Sequence, residues 1–178
     1  MATIFTIGHS TRELAGFSRV LQAHDICLLE DIRAFPMSRR HPHFNRERLE
    51  MWLPEIGCGY IWEKELGGRR GKQMPAEQSP NIALRNPSFR NYADYMLSGT
   101  FAQAIVRLVE RGTKCNTAIM CAEQLYFRCH RMLVSDYLVA HGHTVLHILD
   151  EKSPKQHALT KEARMLDGQL VYRGDYLL

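Results

Sequence analysis

The sequence predicts an α/β fold with a mostly parallel sheet flanked by helices. Short runs of apolar and β-branched residues, typical of buried strands, occur at 3–7, 26–32, 117–120 and 144–149. Between them lie stretches whose apolar residues recur at helical spacing. Strands that alternate with helices favour parallel pairing. With 178 residues, 45% of them hydrophobic and 24% charged, the chain has the length and composition of a single α/β domain, residues 1–178.

Helix boundaries follow from capping residues and from residues that interrupt a helix. Ser10 and Glu13 have the spacing of a capping box, which predicts that the first helix begins there. Gly142 is expected to end a long amphipathic helix. The further predicted elements are helices over 88–97, 100–111, 126–141 and 160–166 and a last strand over 170–172.

Residues 63–87 form a long loop in which neither a strand pattern nor a helix pattern continues, and we expect it to be mobile and functional. Positive charge is concentrated around this loop. Residues 33–90 contain 11 Lys and Arg against 6 Asp and Glu, whereas the remainder contains 12 against 13. This excess predicts an anionic ligand, such as phosphate, a nucleotide or nucleic acid. A solvated basic face is the alternative.

The five cysteines are an odd number without regular spacing, which argues against a secreted disulfide framework. We therefore expect a reducing, cytoplasmic setting, with Cys27 and Cys115 as packing residues. No apolar run approaches the ~20 residues of a membrane span, and the first residues lack a signal-peptide pattern. The sequence thus predicts a cytoplasmic protein without a membrane partner.

Ligands of parallel sheets bind where the strands end, and polar residues of this chain collect at three such ends. Gly8, His9, Ser10 and Arg12 follow the first strand. Free backbone N–H groups at the start of the next helix, together with the Arg12 guanidinium, would hold an anion. The alternative is an ordinary capped helix in which Gly8 only makes the turn.

Asp31 and Arg33 end the second strand and face the same side, because they are two residues apart. Asp31 is the candidate general base or metal ligand, and Arg33 is the candidate anion ligand. A plain salt bridge is the alternative. Arg39 and Arg69 lie on the basic loops among aromatic residues, which makes them further candidate ligands for single-stranded nucleic acid or phosphate.

Cys121 follows a predicted strand and is the candidate nucleophile. The downstream helix, Arg128 and Arg131 are expected to lower its pKa, and Arg131 is also a candidate anion ligand. Glu123 and His130 are the candidate general acid and base. The distance from Cys121 to Arg128 is one residue longer than the Cys-loop phosphatase pattern requires. A buried structural cysteine is the alternative.

A metal site is a less favoured interpretation of the same region. Cys121, Cys129 and His130 offer metal-binding side chains, and Asp31 with Glu123 and a histidine would suit a metal-dependent hydrolase. Zinc sites usually show paired ligands at short spacing, and the sequence has a single such cluster. The sequence therefore predicts no particular metal or other cofactor, and it leaves the oligomeric state open.

Together these motifs resemble the family catalogued as domain of unknown function 488 (DUF488), in order and over nearly the whole chain. The matching segments are TIGHSTR at 6–12, DIR at 31–33 with Pro36 and SR at 38–39, LGGR at 66–69, MCAE at 120–123 and CHR at 129–131. Two later matches are HI at 147–148, in a predicted strand, and His157, which precedes LT at 159–160. The hydrophobic stretch at 125–127 departs from the more polar stretch of many members, which implies a different choice of substrate. The resemblance implies no particular activity, but it places the family's motifs at the strand ends. His147, in the strand predicted over 144–149, is expected to be an ordinary hydrogen-bonded residue of the sheet.

Three hypotheses follow, in order of preference. The first is an enzyme that acts on a phosphate-bearing nucleotide or nucleic acid at a site centred on Cys121. The second is a non-catalytic nucleic-acid-binding module, whose affinity would fall steeply with salt. The third is the metal-dependent hydrolase, which a chelator would inactivate. The fold by itself favours none of them.

Overall fold

Residues 1–174, which the computed structural model describes, form a six-stranded sheet, five α-helices and a separate hairpin. The strands are β1 (Thr3–Gly8), β2 (Leu28–Asp31), β3 (Gly59–Trp62), β4 (Thr117–Cys121), β5 (Thr144–Ile148), β6 (Lys155–Gln156), β7 (Ala163–Leu166) and β8 (Gln169–Tyr172). The helices are α1 (Leu14–Ala23), α2 (Arg46–Trp52), α3 (Pro87–Tyr95), α4 (Gly99–Gly112) and α5 (Arg131–Ala140).

The strand order in the sheet is β3-β2-β4-β1-β5-β6. The first five of these pair in parallel, and β6 pairs antiparallel with β5. Parallel pairing brings the carboxyl ends of β1, β2 and β4 to the same end of the sheet. There Gly8 lies beside Cys121, and Asp31 lies beside Met120. The predicted α/β fold with a mostly parallel sheet is confirmed.

Helices cover both faces of the sheet, because successive side chains of a strand point to opposite faces. Ile4 of β1 belongs to an apolar cluster with α3, α4 and α5. Its neighbours Phe5 and Ile7 belong to a second cluster, which contains α1 and α2. Burial on both faces explains why residues 3–7 of β1 are all apolar or β-branched.

Helix α1 begins later than the sequence predicts. Ser10 has a left-handed backbone with a φ of +51°, and the first helical residue is Leu14. Glu13 is extended, and its side chain does not cap the helix. The predicted capping box is wrong, because the Ser10 N–H is held by the Ala122 carbonyl oxygen at 3.0 Å and the chain cannot yet turn into a helix.

Helix α5 also begins later than predicted. Residues 126–128 form one turn of 3-10 helix, Cys129 is extended, and α5 starts at Arg131. The apolar residues at 125–127 continue the helical periodicity into this turn, which explains the error. Cys129 therefore lies before the N-terminus of α5 instead of inside the helix. Gly142 follows the helix with a φ of +82°, as predicted for its end.

The predicted helix over 160–166 is wrong, because that segment enters a β-hairpin. Strands β7 and β8 pair antiparallel across the two-residue turn at Asp167 and Gly168. Both turn residues have a positive φ, +49° and +78°, as a tight hairpin turn requires. The predicted strand over 170–172 is confirmed as part of β8.

Cys27 and Cys115 form a disulfide, with their Cα atoms 6.2 Å apart. The interpretation of both as packing residues is therefore wrong. The bond joins the start of β2 to the segment before β4, at the sheet edge opposite the carboxyl ends. Because two of the five cysteines are paired, the cysteine count no longer argues for a reducing setting. None of the helices within residues 1–174 has the length and apolar character that crossing a membrane requires.

Candidate functional site

A cavity of about 500 Å³ opens at the carboxyl ends of β1, β2 and β4, a volume within the range of small-molecule sites. Six residues that the sequence singled out line it: His9, Arg33, Arg69, Cys121, Glu123 and His130. Two more residues named in the sequence analysis, Arg128 and Cys129, also line the cavity, together with Phe35, Met37 and Phe89.

Cys129 is at the centre of the polar contacts in this cavity. Its Sγ lies 2.8 Å from Sγ of Cys121 and 3.3 Å from Nδ1 of His130. The backbone N–H of Arg131, the first residue of α5, donates to the same sulfur at 3.5 Å. The helix N-terminus, its neighbouring thiol and an imidazole thus converge on Cys129.

These contacts shift the pKa values of the two thiols in opposite directions. Burial opposes the ionisation of Cys129, but the hydrogen bond from Cys121, the contact with His130 and the charge of Arg131 outweigh it and hold the pKa of Cys129 well below that of an ordinary thiol. Burial and the neighbouring Cys129 raise the pKa of Cys121 well above the ordinary range. The expectation of a lowered pKa at Cys121 is therefore wrong, because burial and the neighbouring Cys129 oppose its ionisation.

His130 has a defined orientation relative to Cys129. Its Nε2 lies 3.0 Å from the carbonyl oxygen of Ile32, which only accepts hydrogen bonds. Nε2 must therefore carry a proton, and Nδ1 is left to exchange the proton of Cys129. Gly68 makes room for the ring, since a Cβ at that position would lie 2.3 Å from Nδ1 of His130.

Gly8 and Arg131 both contact the loop after β4. A Cβ at Gly8 would lie 1.9 Å from the carbonyl oxygen of Glu123, so that only glycine permits this approach. The Arg131 guanidinium is 1% exposed and donates to the carbonyl oxygens of Glu123 and Gln124. The helix start that was expected to hold an anion after β1 does not lie there, because α1 begins only at Leu14.

The other two residues predicted around the first strand end also lie outside the cavity. Arg12 donates to the carbonyl oxygens of Gly8 and Leu149, and it thereby ties the end of β1 to the segment after β5. The left-handed turn at Ser10 directs the chain toward this contact. Arg39 is exposed on the loop before α2 and does not line the cavity either.

Asp31 lies behind Arg33 and is fully buried. Its Oδ1 accepts from Nε of Arg33 at 2.9 Å, and its Oδ2 accepts from the hydroxyl of Tyr60 at 2.7 Å. The carboxylate thus forms a salt bridge that positions the guanidinium, and a salt bridge was the alternative interpretation of this pair. Nη1 of Arg33 faces Nε2 of His9 at 3.4 Å. Because Asp31 neutralises Arg33, this arginine offers the cavity hydrogen bonds more than net charge.

His9 is a neutral acceptor in the cavity wall. Its Nδ1 lies 2.9 Å from the carbonyl oxygen of Ser10, so that Nδ1 carries the proton and Nε2 faces Arg33 as an acceptor. Burial is the main cause that lowers the pKa of His9, to about 4. The ring stacks on Phe44 with a centroid distance of 4.3 Å, which fixes its plane.

The mouth of the cavity combines exposed apolar side chains with cations. Phe35 is 66% exposed and Met37 is 71% exposed. The guanidinium carbon of Arg69 lies 5.8 Å from the Phe35 ring centroid, and Arg128 is exposed on the opposite loop. Positive charge beside an exposed ring is the combination that binds a planar, anionic ligand.

The long loop at 63–87, which provides Gly68 and Arg69, is anchored at both ends. The hydroxyl of Tyr92 donates to the carbonyl oxygen of Leu66 at 2.8 Å. At the other end, the side chain of Asn81 donates to Asp94 at 2.8 Å. Its mobility stays a prediction, and the segment between these anchors is where it would occur.

A chain of buried hydrogen bonds ends on Arg131. Asp136 accepts from Nε2 of His157 at 2.9 Å, Nδ1 of His157 accepts from Nε2 of His147 at 2.9 Å, and Nδ1 of His147 accepts from the Thr6 hydroxyl at 2.7 Å. Arg131 donates to the Thr6 oxygen at 3.5 Å. Burial lowers the pKa of His147 to about 3. The interpretation of His147 as a hydrogen-bonded sheet residue is confirmed.

Within residues 1–174, no group of three or more His, Cys, Asp and Glu side chains is arranged to hold a metal ion. The ligand sets considered from the sequence, one around Cys121 and Cys129 and one around Asp31 and Glu123, are not assembled as such sites. The described residues therefore do not support the metal-dependent hydrolase.

Sequence reasoning underrated Cys129. Cys129 was considered only as a metal ligand, because the helix expected over 126–141 placed it inside a helix. A cysteine followed by histidine, just before a helix, was the signal that could have identified it. Phe35 was counted among the aromatic residues of the basic segment, but Met37 and Phe89 carried no signal, because their approach to the cavity depends on long-range folding.

A family model for the domain of unknown function DUF488 matches residues 13–138. The matched segment contains Cys121, Cys129 and His130, whereas the residues of β1 precede it. Comparison with curated proteins returns no match, and neither does comparison with solved structures. Since the match from 13 to 138 covers 126 of the 178 residues and includes both cysteines and the histidine of the cavity, the chain belongs to the DUF488 family.

Proposed function

We propose that this protein is an enzyme in which Cys129 attacks a phosphate-bearing substrate, a nucleotide or nucleic acid. The observation that carries the proposal is that His130, in the cavity wall, contacts Cys129 through Nδ1 and the Ile32 carbonyl oxygen through Nε2. A nucleophile within reach of a base, and a third group that orients the base, is the arrangement typical of covalent catalysis. The reactive cysteine of the proposal is Cys129 instead of Cys121.

The proposed reaction has two steps. His130 accepts the proton of Cys129 at Nδ1, and the thiolate attacks phosphorus, so that an S–P bond forms while the bond from phosphorus to the leaving oxygen breaks. His130 returns its proton to the leaving oxygen. Water then attacks phosphorus, the S–P bond breaks, and phosphate is released. Glu123, whose exposed side chain lines the cavity, is the candidate base for this water.

The cations of the cavity favour an anionic substrate. Arg69 and Arg128 are exposed at its mouth, and Arg33 presents Nη1 to its interior beside His9. A guanidinium offers paired N–H donors that match two oxygens of a phosphate. The exposed Phe35 ring would stack against a base, which favours a nucleotide over inorganic phosphate.

A second candidate function, binding of single-stranded nucleic acid without catalysis, is favoured by the same exposed pair, Phe35 and Met37, beside Arg69. In that case Phe35 and Arg69 would provide the affinity and Cys129 would be dispensable. Affinity would then decrease with increasing salt, because counterions are released from the nucleic acid.

The test is the turnover of p-nitrophenyl phosphate and bis(p-nitrophenyl) phosphate, which probe monoesters and diesters. We expect Cys129→Ser to abolish turnover and His130→Ala to lower it by about 10²–10⁴. Cys58→Ala is the matched control, since Cys58 is equally buried but lies in the core away from the cavity. Turnover that survives Cys129→Ser contradicts the proposal. Absent turnover, together with salt-dependent oligonucleotide binding that Cys129→Ser leaves unchanged, favours the second candidate.

A further inference from the structure

We infer that Cys121 and Cys129 act as a redox pair that reduces hydroperoxides, passing through a disulfide between them. The two Sγ atoms are in contact at 2.8 Å, and both line the cavity. This activity shares the Cys129 thiolate with the proposed function, but it needs no phosphate group and no bound nucleotide.

The geometry requires little movement for the two cysteines to bond. A disulfide has an S–S length of about 2.0 Å, so that the sulfurs approach by less than 1 Å from their present contact. Cys121 ends β4, where the sheet holds its backbone. Cys129 lies in the extended connection between a single turn and α5, so that it can approach without breaking the sheet.

The contacts assign the two cysteines different roles. Cys129 accepts from the Arg131 N–H and faces His130, so it is the sulfur that carries negative charge and attacks. Cys121 faces Cys129 and the carbonyl oxygen of Glu123, at 3.7 Å, so it retains its proton. An attacking thiolate next to a protonated second thiol is the arrangement that resolves an oxidised cysteine into a disulfide.

The proposed reduction of a hydroperoxide proceeds through a sulfenic acid on Cys129 and then a disulfide. His130 takes the proton of Cys129, and the thiolate attacks the terminal oxygen of a hydroperoxide, so that an S–O bond forms and the O–O bond breaks. The sulfur is oxidised to a sulfenic acid, and the leaving alkoxide takes the proton from His130 to become an alcohol. Cys121 then attacks the Cys129 sulfur, forming the S–S bond, and the hydroxide that leaves takes the Cys121 proton as water. Two equivalents of a small thiol restore both cysteines and form its disulfide.

The burial of the two sulfurs favours a hydroperoxide over a protein disulfide as the oxidant. Cys121 is 4% exposed and Cys129 is 7% exposed, so that a small oxidant has easier access to the sulfurs than a disulfide of a folded protein. A hydroperoxide presents a single terminal oxygen, and the cavity of about 500 Å³ has room for an organic group behind it.

The test treats the reduced, desalted protein with one equivalent of hydrogen peroxide or cumene hydroperoxide, followed by alkylation and tryptic mapping. Cleavage after Lys114, Arg128 and Arg131 yields peptides 115–128 and 129–131. We expect them to be disulfide-linked within minutes. Because Cys115 shares the first peptide with Cys121, the Cys27→Ser/Cys115→Ser variant is mapped in parallel and should give the same link.

The single variants separate the two steps. Cys121→Ser should stop at a Cys129 sulfenic acid that dimedone traps, and Cys129→Ser should remain reduced at Cys121. With dithiothreitol present, Cys129→Ser should consume peroxide at least 10-fold more slowly than the wild type, whereas Cys58→Ala should match it. Oxidation of Cys129 to sulfinic acid without a link, or equal consumption in Cys129→Ser, overturns the inference.

The outcomes also distinguish this inference from the proposed function. A link between 115–128 and 129–131 without phosphate-ester turnover contradicts the proposed function alone. Turnover that depends on Cys129, without any such link under peroxide, contradicts the redox inference alone.

Discussion

Gly68 and His130 approach each other so closely that a Cβ on Gly68 would lie 2.3 Å from the imidazole Nδ1. Gly68 comes from the long loop after β3, and His130 precedes α5. The imidazole therefore fits between the Ile32 carbonyl oxygen and Cys129 only because position 68 has no side chain. The loop thus controls the orientation of the base beside the thiolate.

We expect Gly68→Ala to displace the His130 ring and to raise the pKa of Cys129 toward that of an ordinary thiol. The measurement is the rate of Cys129 alkylation by iodoacetamide as a function of pH, followed on peptide 129–131. Gly71→Ala is the matched control, because no atom lies within 4 Å of a Cβ there. An unchanged profile in Gly68→Ala would contradict the role assigned to this glycine.

In the wild-type protein, the same experiment should separate the three free cysteines. Alkylation of Cys129 should reach its plateau well below pH 8.5, the region of an ordinary thiol. Cys121 should stay unreactive there, because burial and Cys129 raise its pKa. Cys58, whose pKa burial raises to about 11, is the internal reference for an inert thiol. Faster reaction at Cys121 than at Cys129 would reverse the assignment of the nucleophile.

Gly8→Ala should destabilise the protein. The new Cβ would meet the Glu123 carbonyl at 1.9 Å, and backbone must shift to relieve the clash. Overpacking of this kind costs about 1–3 kcal/mol, or more where the backbone is rigid. The measurement is the free energy of urea unfolding, with Gly99→Ala as the control, since nothing lies within 4 Å of a Cβ at that helix start. Equal stability of the two variants would show that the loop after β4 yields easily.

Glu30→Gln should change how stability depends on pH. Burial raises the pKa of Glu30 to about 7, from a usual 4.5, although Arg111 opposes the shift. Between these values the folded state binds a proton that the unfolded state has released, so this group lowers stability as pH rises. Relative to the wild type, the variant should gain up to about 1.4 kcal/mol per pH unit across that window and level off above it.

The comparison must be made as a difference between the two proteins, because other groups titrate in the same range. Burial lowers the pKa values of His9 and His147 to about 4 and about 3. As pH falls below 6.5, these histidines therefore become protonated in the unfolded state while they are still neutral in the folded state. They reduce stability in acid in both proteins equally. A difference between wild type and Glu30→Gln that is flat from pH 5 to 8 would contradict the raised pKa of Glu30.

Removal of the disulfide by Cys27→Ser/Cys115→Ser should lower stability by about 2–5 kcal/mol, because the bond closes a loop of 88 residues in the unfolded chain. The thiol chemistry of Cys129 should be unaffected, since the bond lies at the opposite end of the sheet. Urea unfolding with and without reductant provides the measurement. A variant as stable as the oxidised wild type would contradict this contribution.

Local patterns predicted the sheet, but not the contacts between distant segments. The strand at 3–7 was recognisable because both of its faces are buried, which favours apolar and β-branched residues along it. The helix starts at Ser10 and Tyr126 were misplaced, because loop packing against the end of β4 overrides local capping and periodicity.

The sequence predicted where the candidate site lies, at the carboxyl ends of the strands, but not the contacts within it. His9, Arg33 and His130 were selected from their positions after strands, and they do line the cavity. The lowered pKa was assigned to the wrong cysteine, because it depends on the start of α5 and on Ile32, which is 98 residues from His130. Disulfide formation by Cys27 likewise depends on a residue 88 positions away.

The donors to Asp136 show that the folded unit extends beyond the region that the family model matches. This buried carboxylate accepts from His157, from the backbone and hydroxyl of Thr160, and from the hydroxyl of Tyr172. All of these donors lie beyond residue 138, where the family match stops. A fragment limited to residues 13–138 would remove all of these partners from Asp136 and, because it begins after β1, would also lack one of the two middle strands of the sheet. Recombinant expression should therefore retain the segments on both sides of the matched region.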